Sequence, residues 1–190
     1  MEEIKVNQNH PMILHINENT RLELTAPQHA EALFDAVDAN RKHLSEFLPW
    51  VPNMQSVDDF RNYIKRCEFL HAQQEEVSFV IKQNDTLVGR IGLHYMNKQN
   101  RFASIGYWLI ADAAGKGIIT QSCRELITYG FSELGLHRIE IKAAVENHKS
   151  RAIPEKLGFK QEGILREAEW VNDRFLDLYV YAMLAPEWNS

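Results

Sequence analysis

A lysine set between two glycines, Gly115-Lys116-Gly117, separates a strand-like run from a helix-like run. A glycine-flanked loop at such a junction turns several backbone N–H groups outward at the positive end of the helix, and that geometry binds anions. Lys116 would bring a full positive charge to the same anion. The letters alone are a weak signal, because a tight turn that needs two flexible residues reads the same way. Spacing excludes two phosphate-binding loops: no GxxxxGK[ST] is present, and GxGxxG fails at its third glycine, where Thr120 stands. A dinucleotide fold would also need several strand–helix–strand units, and only one is visible here. The 8 histidines show neither HxH nor HExxH spacing, and the 2 cysteines, Cys67 and Cys123, form no CxxC pair. No metal site, redox pair or disulfide framework is expected from them.

The loop is positioned by its neighbours. Residues 103–110 lead into it and read as a strand. Beyond it, Ile119, Cys123, Leu126, Ile127, Phe131 and Leu134 recur every three or four residues, as on one face of an amphipathic helix. Gly135 stands where a C′ glycine belongs. Ile139, Ile141, Ala143 and Val145 then alternate with more polar neighbours as a strand does. A strand, loop, helix and strand of this length imply a parallel pair with a right-handed crossover. A helix over about 151–157 and strands near 159–162 and 174–184 follow. Upstream, 21–25 alternates as a strand, and Thr25 is expected to cap a helix with Gln28 at the capping-box position. Ser56-Val57-Asp58-Asp59 opens another helix, with Phe60, Ile64 and Cys67 along one face. Residues 77–81 and 87–93 read as a hairpin around Gln83-Asn84-Asp85. No repeat or linker divides the chain, so residues 13–190 are expected as one domain after a polar tail over residues 1–12.

Gly115-Lys116-Gly117-Ile118-Ile119-Thr120 resembles the acetyl-CoA pyrophosphate loop of the GNAT superfamily of N-acetyltransferases, whose pattern is Gln/Arg-x-x-Gly-x-Gly/Ala. Gly117 falls on the fixed glycine, while Ala114 and Ile119 depart from the pattern. Asn147-His148-Lys149-Ser150 and Glu155-Lys156-Leu157-Gly158-Phe159 look like that superfamily's Asn-x-x-Ser and Glu-Lys-Leu-Gly-Phe segment. Residues 38–44, 48–51 and 168–172, with Asp177, look like its RimJ/RimL branch, which acetylates the N-termini of ribosomal proteins. The likeness runs from about residue 14 to 186. It implies an α+β fold with a mixed, mostly antiparallel sheet, a splayed parallel strand pair and flanking helices. It also implies acetyl-CoA as cosubstrate and no metal.

The same resemblance implies a set of site residues. Trp108, Leu109 and Ile110 would lie in the strand that pairs with pantetheine, and an N–H near Leu109 or Ile110 would bind the oxyanion. Gly115, Lys116, Gly117, Ile118, Ile119 and Thr120 would cradle the pyrophosphate, with Asn147 and Lys156 also on the cofactor side. Ser150 would be the general acid for the CoA thiolate and Glu169 the general base, directly or through a water. By position alone Ser150 reads as a helix N-cap and Glu169 as an exposed carboxylate. Trp50 and Trp170 are candidates to line an acceptor groove, although tryptophan is usually core. Pro154 is expected in the first turn of its helix, where a missing N–H is tolerated.

Composition sets the outer bounds. Of 190 residues 45% are apolar and 10% aromatic, enough for a core and against disorder. There are 26 acidic and 21 basic side chains, a formal charge of -5, which argues against a surface built for nucleic-acid phosphates. No signal peptide or membrane span is evident, so the chain reads as cytoplasmic. The expected partners are acetyl-CoA and, from the RimJ/RimL resemblance, the N-terminus of a ribosomal protein. A small amine such as a polyamine, amino acid or antibiotic is the alternative acceptor, and a non-catalytic acyl-CoA-binding module the alternative class. A homodimer is left open.

Overall fold

The computed structural model describes residues 12–189. Eight strands form one sheet: β1 (Ile13–Asn17), β2 (Thr20–Leu24), β3 (Val77–Gln83), β4 (Thr86–Asn97), β5 (Phe102–Leu109), β6 (Arg138–Ala144), β7 (Lys160–Val171) and β8 (Arg174–Leu184). Their order is β1-β2-β3-β4-β5-β6-β8-β7. Five helices accompany them: α1 (Ala30–Asp38), α2 (Arg41–Leu44), α3 (Val57–Ala72), α4 (Ile118–Ser132) and α5 (His148–Lys156). Only β5 and β6 run parallel, and α4 is the crossover between them. The expected α+β fold, with its mostly antiparallel sheet and flanking helices, is the one observed.

The sheet is covered on both faces. Phe79, Ile91, Leu93, Ile139 and Ile141 pack against Cys123, Leu126 and Ile127 of α4. On the opposite face Val80, Leu87 and Trp108 meet Leu33 and Val37 of α1 and Phe60 and Ile64 of α3. Each fully buried Leu, Ile or Phe contributes about 1.5–3 kcal/mol. The alternation along each strand therefore fixes which residues face which helices.

The helix starts correct part of the sequence reading. Ser56 caps α3 as expected, accepting from Asp59 N–H at 3.2 Å while Asp59 Oδ2 accepts from Ser56 N–H at 2.8 Å. Thr25, in contrast, extends the sheet: its N–H reaches Ser78 O at 2.8 Å and its hydroxyl lies 3.0 Å from Ser78 Oγ. The entry to α1 is held instead by His29 Nδ1, which accepts from Ala26 N–H at 3.1 Å. Pro154 lies inside α5 and not in its first turn. β1 has no counterpart in the sequence reading, and β7 runs on to Val171, well past Glu162. The polar-tail assignment over 1–12 falls outside the described residues except for Met12, whose carbonyl accepts from Leu24 N–H at 2.9 Å and whose side chain packs on the core.

Candidate active site

The glycine loop leaves the end of β5. A turn of 3-10 helix (Ala111–Ala113) precedes it, and Ala114 is extended. Gly115 and Gly117 both have φ of 77°, a region where a Cβ costs roughly 1–2 kcal/mol. Gly117 is the N-cap of α4 and offers no capping side chain, and no acidic residue lies in the first turn. The apolar side chains of Ile118 and Ile119 are buried and anchor that turn. Its leading N–H groups, including those of Ile118, Ile119 and Thr120, have no intrahelical acceptor, as at any helix start. An uncapped first turn behind two left-handed glycines, with Lys116 exposed beside it, fits a pyrophosphate. A cavity of about 370 Å³ opens next to Lys116 and Ile118, walled by Asn17, Gln83 and Gln121.

The parallel pair splays toward this loop. β5 and β6 pair from Phe102–Arg138 to Ile105–Ile141 and no farther. Both strands continue, β5 held by β4 up to Leu109 and β6 by β8 up to Ala144. Ile110 N–H is engaged by Val88 O at 2.8 Å. In an antiparallel ladder the neighbouring residue points its N–H and C=O the other way, so those of Leu109 and Tyr107 face the splay. Of the two amides expected to bind an oxyanion, Leu109 therefore keeps the free one. The Trp108 side chain points away from the splay, into the core beneath Trp50, with ring centroids 6.1 Å apart. A Cβ on Gly89 would collide with the Trp108 carbonyl, so glycine there permits the close approach of β4 to β5.

Because β5 and β6 are parallel, the chain segments that follow them emerge at one end of the sheet. The second segment carries Asn147 and Ser150. Asn147, not Ser150, is the N-cap of α5, and its Oδ1 accepts from Ser150 N–H at 3.1 Å. Ser150 Oγ lies 3.2 Å from the Tyr107 hydroxyl, which donates to Ser150 O at 2.9 Å. Arg151 anchors α5 to the end of β6 through Val145 O at 2.9 Å. Lys156 ends α5 and is exposed.

Glu169 reaches the same end on β7. β8 is antiparallel to β6 with Leu178 opposite Ala144, which brings the tip of the β7–β8 hairpin beside the end of β6. Glu169 pairs with Leu176 just beyond a bulge in which Arg166, Glu167 and Ala168 oppose Asp177 alone. Asp177 Oδ1 holds that bulge by accepting from Glu167 N–H at 2.7 Å. Glu169 shares its face with Val171 and Leu176, which pack with Leu178, Ala144 and Phe47. Burial there raises the pKa of its carboxyl from the ordinary glutamate value. Trp170, the next residue along β7, points to the other face, where it is 52% exposed and stacks edge-on against Phe175 at 4.6 Å. Trp50 and Trp170 thus pair with different rings.

The sequence resemblance takes in Asn40, Asp177 and Asn172 without a role for any of them, and their positioning contacts, with that of the Tyr107 hydroxyl, come only from the structure. Asn172 Nδ2 donates to Ser45 O at 2.9 Å and so joins the hairpin tip to the end of α2. Each acts on a residue distant in the chain or across a bulge, and no local spacing marks such a contact. Among the described residues no group of three or more His, Cys, Asp or Glu is placed to hold a metal. No helix among them is long and apolar enough to cross a membrane.

Comparison with known proteins gives a consistent result. Residues 20–160 match the acetyltransferase (GNAT) domain family. The chain is 40% identical over 176 residues to the putative ribosomal N-acetyltransferase YdaF of Bacillus subtilis (strain 168), covering 92% of this chain and 96% of that protein. It is 32% identical to the ribosomal-protein-serine acetyltransferase of Escherichia coli (strain K12), covering 89% and 94%. Among solved structures, RimL, the ribosomal L7/L12 alpha-N-protein acetyltransferase, in complex with coenzyme A, superposes with a TM-score of 0.88 at 27% identity, covering 91% of this chain and 98% of that one.

Proposed function

The chain belongs to the acetyltransferase (GNAT) family and is an acetyl-CoA-dependent N-acetyltransferase, and from that premise we propose that its acceptor is the α-amine of a ribosomal protein. The relatives named for ribosomal substrates align over nearly the whole chain, including the α1–α3 segment that borders the acceptor side. The observation that carries the chemistry is convergence: the glycine loop, the open side of β5, Ser150 and Glu169 all come to one end of the sheet.

When bound, acetyl-CoA supplies an activated thioester. The N–H groups at the start of α4 and Lys116 hold its pyrophosphate, and the free backbone groups of Tyr107 and Leu109 hold the pantetheine arm in the splay. Asn147 holds Ser150 by its N–H, and the exposed Lys156 at the end of α5 adds a positive charge for the cofactor. Glu169 takes a proton from the acceptor amine, directly or through one water, as the C–N bond forms. Leu109 N–H stabilises the oxygen that gains charge. The C–S bond then breaks, Ser150 Oγ gives its proton to the departing thiolate, and solvent restores it. An α-amine has a pKa of about 7.7–8.0 against roughly 10.4 for lysine. A carboxylate raised by burial is a sufficient base for the former. Trp50 borders the acceptor side from the α1–α3 face, while Trp170 offers a ring at the hairpin tip.

Turnover of acetyl-CoA against a panel of ribosomal-protein N-terminal peptides and small amines tests the assignment. Acetylation of a peptide α-amine with higher kcat/KM than any polyamine or amino acid is expected. The reverse order would move the acceptor to the small-amine class.

A further inference from the structure

We infer that Tyr107 is the positioning residue of Ser150, and that Pro154 makes this possible by leaving the Ser150 carbonyl free of a helical partner. The assignment rests on the general-acid reading of Ser150. In an α-helix the carbonyl of residue 150 would accept from the N–H of residue 154. Residue 154 is proline, which has no N–H, and its ring crowds the carbonyl four residues back. The Tyr107 hydroxyl supplies the missing donor, 2.9 Å from Ser150 O. Its single proton is used there, so its oxygen can only accept from Ser150 Oγ, 3.2 Å away.

Three contacts then fix Ser150: Asn147 on its N–H, and Tyr107 on both its carbonyl and its hydroxyl. The serine proton rests on the Tyr107 oxygen until a thiolate competes for it, while the bond to its carbonyl keeps Ser150 beside β5 where the strands part. Burial pushes the Tyr107 phenol well up, so it stays neutral and acts as a fixed dipole. In this role Tyr107 reaches the reaction only through Ser150. Removing its hydroxyl affects the proton-donating step and leaves the pyrophosphate cradle untouched.

Steady-state kinetics of Tyr107→Phe, Ser150→Ala and the double variant test the assignment, with Pro154→Ala as an independent route. Tyr107→Phe is expected to lower kcat about tenfold, the worth of one well-made hydrogen bond, with the KM for acetyl-CoA within about twofold of wild type. In the Ser150→Ala background the same change is expected to have no further effect, because the group it positions is gone. Pro154→Ala returns an N–H aimed at the same carbonyl and is expected to lower kcat in the same direction without raising that KM. Equal losses from Tyr107→Phe in both backgrounds would overturn the role, as would wild-type kcat in both Tyr107→Phe and Pro154→Ala. Unchanged kcat in Ser150→Ala would instead remove Ser150 as the acid, and is thereby distinguishable from failure of the Tyr107 assignment alone.

Discussion

Asn40 Oδ1 accepts the N–H of Ala111 at 3.0 Å, joining the segment after α1 to the 3-10 turn that follows β5. The same side chain donates to Ala36 O at 2.9 Å and so cannot turn away. Arg41 continues the connection, donating to Val51 O at 3.2 Å and Met54 O at 2.7 Å. With Asn172 bound to Ser45 O, the segment from Asn40 to Ser45 bridges from the glycine loop to the hairpin that carries Glu169. The glycine loop and the tip of the β7–β8 hairpin are therefore linked through the side chains of Asn40 and Asn172.

Asn40→Ala removes that link at the cofactor end. Two hydrogen bonds of about 1 kcal/mol each are lost. The KM for acetyl-CoA is expected to rise about tenfold, and the melting temperature to fall by about 2–4 °C per kcal/mol lost. Kinetics and thermal denaturation read both. A KM equal to wild type would mean that the loop holds its shape without Asn40.

Glu169→Gln keeps shape and removes the proposed base. General base catalysis contributes about 10²–10⁴-fold, so kcat at neutral pH is expected to fall by that order. The gap narrows above pH about 8, where an α-amine deprotonates unaided. Stability moves oppositely. A carboxyl whose pKa is raised by burial stabilises the fold below its folded pKa, and that contribution is lost as pH rises through it. The neutral amide is therefore expected to melt no lower than wild type at pH 7. A lower melting point would point to a structural role for the carboxylate.

At Gly117 the backbone angle, not the available space, forbids a side chain. A Cβ there meets only Gln121 Nε2 at 3.9 Å, yet φ is 77°. Gly117→Val is expected to abolish binding of CoA, whereas Gly117→Asn, a residue that visits this region, should retain part of it. Calorimetric titration with CoA separates the two. Equal affinities would show that the left-handed cap does not shape the anion site.

Acid conditions should weaken the β2–β3 face before the site. Burial pushes the Glu23 carboxyl up, but hydrogen bonds from Lys82, Arg21 and His29 outweigh it and hold the pKa at about 2. Its contribution is complete above the unfolded value of about 4.3 and is lost as pH falls toward 2. His29 adds an earlier phase: burial lowers its pKa, so the unfolded chain takes up protons first below about 6.5. Denaturant midpoints measured from pH 7 to 3 should fall throughout. Glu23→Gln should flatten the lower part and leave the upper part in place.

Much of this molecule follows from local rules. Period and spacing determine α4, β5, β6 and their parallel crossover, and Ser56 with Asp59 determines the start of α3. Two glycines before an apolar helical run determine a left-handed, uncapped helix start, because backbone angles and the helix dipole are properties of neighbouring residues. Residue order along the chain also carried the family resemblance. Only the folded chain decided the rest. Thr25 joined the sheet because Ser78 lies opposite it, and Asn147 displaced Ser150 as the cap. Glu169 became half-buried beyond a bulge that Asp177 holds through the N–H of Glu167, ten residues before it. Tyr107 reached the Ser150 carbonyl that Pro154 leaves open, across 43 positions of sequence. Such contacts depend on which strands pair and how far, and that is settled by packing the whole sheet against its helices rather than by any window along it.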